Sequence, residues 1–373
     1  MEPAKALYSF SMRAGREGFS SLKTEWEALT SRASKPSVMQ TPAWTQCFID
    51  HLAAEPEQLR LLVARRSGEL AMVWPLMLKR SARGGVGVRE LWGISHPHMT
   101  LSDVCAVDED AGMWPQLWAW LHACDLQWDR LVLPKVAADS ALAAVLEYAG
   151  TDVHTRAGEG SAWLDCARPF EELMQAASGN HRSKLSRSMR RATLGHSLRY
   201  ECHSDPQTLQ KALRDFMELE HSGWKGSDGG AIACSPNLVE FYHQLVAVLG
   251  GQRRCEIDLL WRDDRLIAGV IWFRAGEILA LQKIAYDEAL SEVSPGHLVL
   301  REALQRACAD PTLRRMSFIT RCAWADGWRT SVSEVSSYSL YRHSVRGTLT
   351  AWAMRGISSL RRVAAASAPA SEA

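Results

Sequence analysis

Apolar runs separated by polar turns organise the chain from 259 to 320. Leu259-Leu260-Trp261, the turn Arg262-Asp263-Asp264-Arg265 and the run Leu266 to Phe273 predict two antiparallel strands. Arg274-Ala275-Gly276-Glu277 reads as a second turn and Leu279 to Tyr286 as a third strand. An acidic turn and the break Ser294-Pro295-Gly296 follow, then a helix from about His297 to Cys308 and a further strand at Arg315 to Thr320. Pro295 sets φ and gives up an N–H, and Gly296 lets the backbone approach a ligand closely. The amides opening a helix point outward and carry the positive end of its dipole, which suits a phosphate. A plain strand-to-helix turn is the competing reading of the same residues.

The first half shows a comparable order. A short strand is expected at Ala6 to Met12. A helix over Ser21 to Ser31 has Leu22, Trp26 and Leu29 on one face. Thr41 caps, and Pro42 starts, a second helix to about Ala54. Strands at Leu59 to Arg65, Glu69 to Lys79 and Arg89 to Trp92 follow, then a Trp-rich helix at Gly112 to Cys124, a strand at Arg130 to Leu133 and a helix at Ala137 to Ala149. Element order, not any visible sequence repeat, makes this half a degenerate copy of the second. Ser161 to Asp165 is expected to cross between the halves. Helices follow at Phe170 to Ala177, Asn180 to about Gly195 and Asp205 to His221, with a strand at Leu198 to Cys202. The expected division is 1–160, 161–345, and a basic helix from Arg346 to Val363 with a disordered Ala/Ser/Pro tail over 346–373.

Composition narrows the function. With 373 residues and 47% hydrophobic content the chain can bury two cores. The 43 basic residues against 42 acidic ones argue against a general nucleic-acid binder. The 9 cysteines include no Cys-x-x-Cys pair, which points to a reduced, cytoplasmic protein without a zinc module. No apolar run suggests a secretory leader or a membrane span. The 15 tryptophans serve either core packing or a pocket for an apolar substrate.

The strand order, with KIAYDEALSEVSPGHLVLREAL over 283–304 and SGWKGSDGGAI over 222–232, resembles the acyl-CoA-binding core of the GNAT acyltransferase superfamily. It is similar in particular to the CelD-like or BioF2-like branch, related to the FemAB peptidyltransferases. The likeness covers most of the chain and is strongest from Gly195 to Trp328. It departs where SPGH replaces the glycine string of many members. The resemblance implies an α/β (α+β) fold of tandem GNAT-like halves, each a mixed, largely antiparallel sheet flanked by helices. It also implies direct transfer of an acetyl or longer fatty acyl group from acyl-CoA or acyl-carrier protein to an amine of a small molecule, peptide or sugar. Two other readings stay open: a FemAB-like aminoacyl-tRNA-dependent peptidyltransferase, although no coiled-coil arm is visible, and a non-catalytic GNAT-fold binding protein.

Such a transfer needs a base for the amine, a donor for the oxyanion and close positioning. Glu220 and Asp287 are the candidate bases, and Tyr286 is the candidate proton donor to the leaving thiolate. Gln282, Ile284 and the turn Ser294, Pro295, Gly296, His297 and Leu298 are expected to hold the acyl-CoA. His221, Trp224, Lys225, Lys283, His98, Asp103 and Trp328 are expected around the acceptor. Strict alternation would set Gln282, Ile284 and Tyr286 on one face and Lys283, Ala285 and Asp287 on the other. The loop His96 to Asp103 has metal-ligand residue types without evident constraining geometry, so no metal is expected. Arg182, Lys184, Arg187 and Arg191 read either as a solvated face or as contacts to phosphates of a CoA, carrier-protein or tRNA ligand.

Overall fold

The computed structural model describes residues 8–83, 86–98, 101–107, 112–149 and 153–354. The strands are β1 (Tyr8–Ala14), β2 (Leu59–Arg66), β3 (Glu69–Arg83), β4 (Val86–Gly93), β5 (Cys105–Ala106), β6 (Arg130–Ala137), β7 (His154–Ala157), β8 (Ser161–Asp165), β9 (Leu198–His203), β10 (Cys255–Arg262), β11 (Arg265–Ala275), β12 (Ile278–Tyr286), β13 (Arg315–Ser317), β14 (Ser331–Ser333) and β15 (Val335–Tyr341). The helices are α1 (Gly15–Thr30), α2 (Pro42–His51), α3 (Met113–Ala123), α4 (Ala141–Glu147), α5 (Phe170–Ala176), α6 (Gly179–Thr193), α7 (Pro206–Ser222), α8 (Trp224–Ser227), α9 (Pro236–Gly251) and α10 (Pro295–Ala309).

These strands make two mixed sheets with the same plan. One runs β1-β2-β3-β4-β6-β15-β7, with β5 added to β3, and the other β9-β10-β11-β12-β13-β8-β14. In each, the fourth and fifth strands are parallel and the other neighbours on the path antiparallel. The expected tandem α/β architecture is therefore present, with one strand returned. The second sheet is built from β8 to β14, but the sixth place of the first sheet is filled from the second half's stretch of chain. β15 follows β14 in sequence but pairs with β6 and β7. Residues 335–341, expected with the second half, thus complete the first sheet.

Burial explains why the halves pack as one body. One apolar core joins α1, α2 and β2 to α7, α9 and β11. Trp44 stands edge-on to Phe241 at 5.5 Å and to Phe273 at 5.9 Å, so an α2 side chain fills the layer between α9 and the second sheet. Fully burying side chains of this size stabilises by about 1.5–3 kcal/mol each. α9 is absent from the sequence expectations, although Pro236 opens it and Phe241, Leu245 and Leu249 recur on its buried side. The helix expected at Ser21 begins earlier, at Gly15. Residues 345–354 are helical; the sequence pattern expects Leu349, Trp352, Ala353 and Ile357 to pack back, but Thr350 and Ala351 face inward while Leu349 and Trp352 are exposed. The rest of that expected helix and the tail lie outside the described residues. No helix among the described residues is long and apolar enough to cross a membrane.

Leu340 is buried in the first core from its place on β15. Leu340→Ala should lower stability by about 2–5 kcal/mol, the usual cost of such a cavity. Hydrogen exchange should speed up in β6 and β7 rather than in β14; protection lost in β14 alone would contradict this placement of β15.

Candidate active site

The site grows from a strand that loses one neighbour. β13 pairs with β12 only at Ile278, Leu279 and Ala280, and beyond Ala280 the two diverge. On its other side β12 stays paired to β11, with Ala285 opposite Gly269, Ile284 opposite Val270 and Tyr286 opposite Ala268. The Asp287 N–H donates to Ile267 O at 2.9 Å. Antiparallel pairing alternates the direction of successive amides, so Ala285 turns its polar backbone to β11 and Ile284 and Tyr286 turn theirs to the gap.

A bulge adds to this. Ile271 faces Lys283 while Trp272 faces Leu281, so Gln282 is an extra residue. The side-chain alternation resets there. Gln282 and Lys283 both reach toward α7, α9 and the first half, whereas Ile284 packs on the second core with Leu281. The expected face shared by Gln282 and Ile284 is therefore split by the bulge.

Lys283 meets a carboxylate supplied by α7. Leu213, Phe216, Met217 and Glu220 lie on the buried side of that helix. The Glu220 side chain is fully buried. Lys283 Nζ donates to its Oε1 at 3.1 Å, Lys225 Nζ approaches the same atom at 3.4 Å, and the Ile232 N–H donates to Oε2 at 2.9 Å. Lys225 Nζ also donates to Ile284 O at 2.6 Å, on the open edge. Burial pulls the Lys283 ammonium below the usual lysine range, and Glu220 opposes that shift. Next to this group, Gln282 Nε2 donates to His98 O at 2.8 Å, and the Tyr242 hydroxyl lies 3.1 Å from His98 Nδ1. Burial, then the charge of Lys283, pushes His98 down to about 3, so it is neutral at ordinary pH. A cavity of about 450 Å³ opens beside Gln282 between the halves, lined by Met39, Leu101, Phe273 and Ile319 with Asp103 and Arg315.

The other wall of the gap is the start of α10. Ser294 precedes it with φ 48°, a left-handed backbone in a non-glycine residue. That conformation costs about 1–2 kcal/mol. Pro295 opens the helix, and the N–H groups of His297 and Leu298 turn back to Ser294 O at 3.0 and 3.3 Å. A Cβ added at Gly296 would lie 3.1 Å from the Tyr286 ring and 3.7 Å from Ile284 Cδ1. These residues, with Lys184 and Trp324, line a pocket of about 280 Å³. α10 is held by Arg306, whose guanidinium bonds Asp258 at 3.3 Å and Glu256 at 2.5 Å on β10.

Residues 179–326 match the profile described as an acetyltransferase (GNAT) domain. These residues form a segment similar to GNAT acetyltransferases. The crystal structure of FemX has a TM-score of 0.58 to it at 11% identity, over 86% of this chain and 96% of that one. A conserved protein of unknown function from Bacteroides thetaiotaomicron gives 0.53 at 9% identity, over 86% and 97%. L-PGS from Bacillus licheniformis gives 0.50 at 10% identity, over 89% and 96%. At these identities the likeness is one of fold. No curated protein sequence matches the chain.

The expected site residues fall into three places. Glu220, Lys225, Lys283, Gln282 and His98 converge on one side of the gap. Ile284, Tyr286, Ser294, Pro295, Gly296 and His297 line the pocket on the other, with Leu298 buried behind them. The rest lie apart. Asp287 accepts from Ala289 N at 3.0 Å and pairs with Arg265, so it caps the following turn. Asp103 accepts from Val104 N at 2.8 Å and Leu142 N at 3.1 Å, at the far side of the cavity. His221 is exposed beside Cys234, Trp224 is 54% exposed, and Trp328 is buried against His181. Among the described residues no three His, Cys, Asp or Glu side chains converge as metal ligands. Sequence reading missed Tyr242, one buried ring on an unrecognised helix, and His181, hidden in a basic run.

Glu220→Gln leaves two buried ammonium groups facing one neutral amide. It should cost about 3–5 kcal/mol in urea denaturation, and adding Lys283→Met should recover part of that. Burial also lowers His297, to about 4 from 6.5. Between those values the unfolded chain binds more protons at His98 and His297 than the folded one. Stability is therefore full above about pH 6.5 and falls as acid is added below it. The urea midpoint should drop from pH 7 to pH 4.5, and His297→Phe should flatten that slope.

Proposed function

We propose that the chain is an N-acyltransferase that moves an acyl group directly from a phosphopantetheine thioester, such as acyl-CoA, to an amine. The observation that supports this most is the open edge of β12 beside Gly296. A pantetheine arm is a chain of amides, and Ile284 and Tyr286 present backbone groups to such a chain. Gly296 leaves room for the adjoining phosphates, and the start of α10 favours their charge. Phosphates there need little side-chain help beyond Lys184.

In this reading the thioester carbonyl accepts from the Ile284 N–H, and the Lys225 ammonium stands next to the oxyanion as it forms. Glu220 orients Lys225 and Lys283 and, directly or through water, takes the proton of the attacking amine. The geometry favours Glu220 over Asp287 for this step, because Asp287 is engaged with Arg265 and the Ala289 N–H. Tyr286, against Gly296 on the same edge, protonates the leaving thiolate. The cavity between the halves takes the body of the amine, with Gln282, which donates to His98 O, on its wall. Its apolar lining suits an acceptor with a hydrocarbon or aromatic part. Six of the tryptophans take no part in setting acyl length, because Trp26, Trp44, Trp74, Trp114, Trp128 and Trp272 are core residues, whereas Trp324 lines the donor pocket. A FemAB-like aminoacyl-tRNA-dependent transfer is the second reading, and the fold shared with FemX is compatible with both.

Gly296→Val fills the space beside Tyr286. It should raise the Kd for acyl-CoA more than about tenfold, a loss above about 1.4 kcal/mol, with little change in Tm. Unchanged affinity by calorimetry would leave the turn structural. Glu220→Gln should lower kcat roughly a hundredfold or more and Asp287→Asn far less. Equal effects in the two variants would remove Glu220 from the proton transfer.

A further inference from the structure

The outer face of α6 carries Arg182, Lys184, Arg187, Arg190 and Arg191, all exposed, and the helix contains no acidic residue. Among the described residues none of these five cations is in an ion pair. Their bonds are to carbonyls: Arg182 to Gln175 O at 2.7 Å, Arg187 to Ser183 O at 3.3 Å and Arg191 to Glu292 O at 3.4 Å, which leave each charge uncompensated. Elsewhere many arginines are matched, as in Arg65 with Glu25, Arg130 with Glu90 and Arg315 with Asp139. In a chain of formal net charge +1, this helix is a local excess of positive charge.

Its position links the excess to the donor pocket. Lys184 lines that pocket, and Arg191 reaches the turn Glu288–Val293 that leads into α10. From Arg182 to Arg191 the cations extend about 13 Å along the helix. The pyrophosphate of free coenzyme A is already accommodated at Gly296, and its remaining phosphate needs one or two of the five. At the end of the helix Leu194 is 76% exposed, an apolar contact that a nucleotide does not use. A partner wider than a nucleotide, with its own acidic surface, fits better. RNA fits less well, because α6 exposes no aromatic ring for base stacking, its His181 being buried, and the chain has no broad basic surplus.

We infer that α6 docks an acidic acyl-carrier protein, which presents its phosphopantetheine thioester to the pocket at the start of α10. This rests on the acyltransferase reading and names the donor. Lys184, Arg187 and Arg191, spaced three and four residues apart, form one stripe toward an acidic helix of the carrier.

The test uses a bacterial fatty-acid-type carrier protein loaded with an octanoyl group, with octanoyl-CoA as the parallel donor. Binding of the fluorescently labelled holo-carrier is measured on the full chain, on Arg187→Glu/Arg190→Glu and on Arg187→Lys/Arg190→Lys. The glutamate variant should weaken carrier binding by about tenfold or more, and the lysine variant by far less. Rising salt should weaken wild-type binding. Wherever transfer to an amine is seen, the ratio of kcat/KM for carrier over CoA should fall by a similar factor in the glutamate variant. The inference is overturned if wild-type protein does not bind the holo-carrier at low salt, or if the glutamate variant binds it equally well. It is also overturned if both donors lose kcat/KM alike, or if tRNA and not the carrier shows the charge-dependent binding. Charge-dependent carrier binding without transfer from either donor would support the docking and refute the acyltransferase reading.

Discussion

Beyond Ala280 the β12 strand keeps β11 on one side and loses β13 on the other, so the polar backbone at Ile284 and Tyr286 is left to partners outside the sheet. Burying such groups unpaired is unfavourable by about 1–3 kcal/mol each. The fold answers with Lys225, which donates to Ile284 O. A buried ammonium in turn needs an anion, and Glu220 provides it while also holding Lys283 and the Ile232 amide. One missing strand contact thus accounts for a buried carboxylate, two lysines and the short α8 segment that carries one of them. A ligand with amides of its own can enter this edge because the sheet has left it open.

The gap keeps its shape because its two sides are anchored separately. On one side α10 is tied to β10 through Arg306, Asp258 and Glu256, and Asp258 also accepts from Trp272 Nε1 at 2.8 Å. On the other, α7 and α9 belong to a core shared with α1 and α2 of the first half. The return of β15 to the first sheet adds to this coupling, since residues 335–341 follow the second sheet in sequence. The cavity between the halves is consequently set by two sheets that pack on a shared core.

The charges divide by burial. Inside, Lys283 has Glu220 and Arg306 has Asp258. On the surface of α6 the cations are solvated, and their self-repulsion is tolerated because water and salt screen it. Such a face is inexpensive for the free protein and available to an acidic surface.

Strand and helix order from Leu259 to Ser317 was legible in the sequence. The polar turns at Arg262 and Arg274 and the break at Ser294-Pro295-Gly296 act through local backbone preferences, which depend on neighbouring residues alone. The same holds for the cap at Thr41, which accepts from Trp44 N. The motif residues 283–304 also pointed to the family whose profile matches residues 179–326. What alternation alone did not reveal was the bulge at Gln282, because an inserted residue is defined by the partner strand. Nor did the sequence tell Glu220 from Asp287: both are carboxylates near a strand end or helix end, and only packing makes one a buried hub and the other a cap. The return of β15 to the first sheet was equally invisible, since its partners β6 and β7 lie far away in sequence. Local chemistry determined the elements and the turn; long-range pairing decided which edge stays open and which side chains meet there.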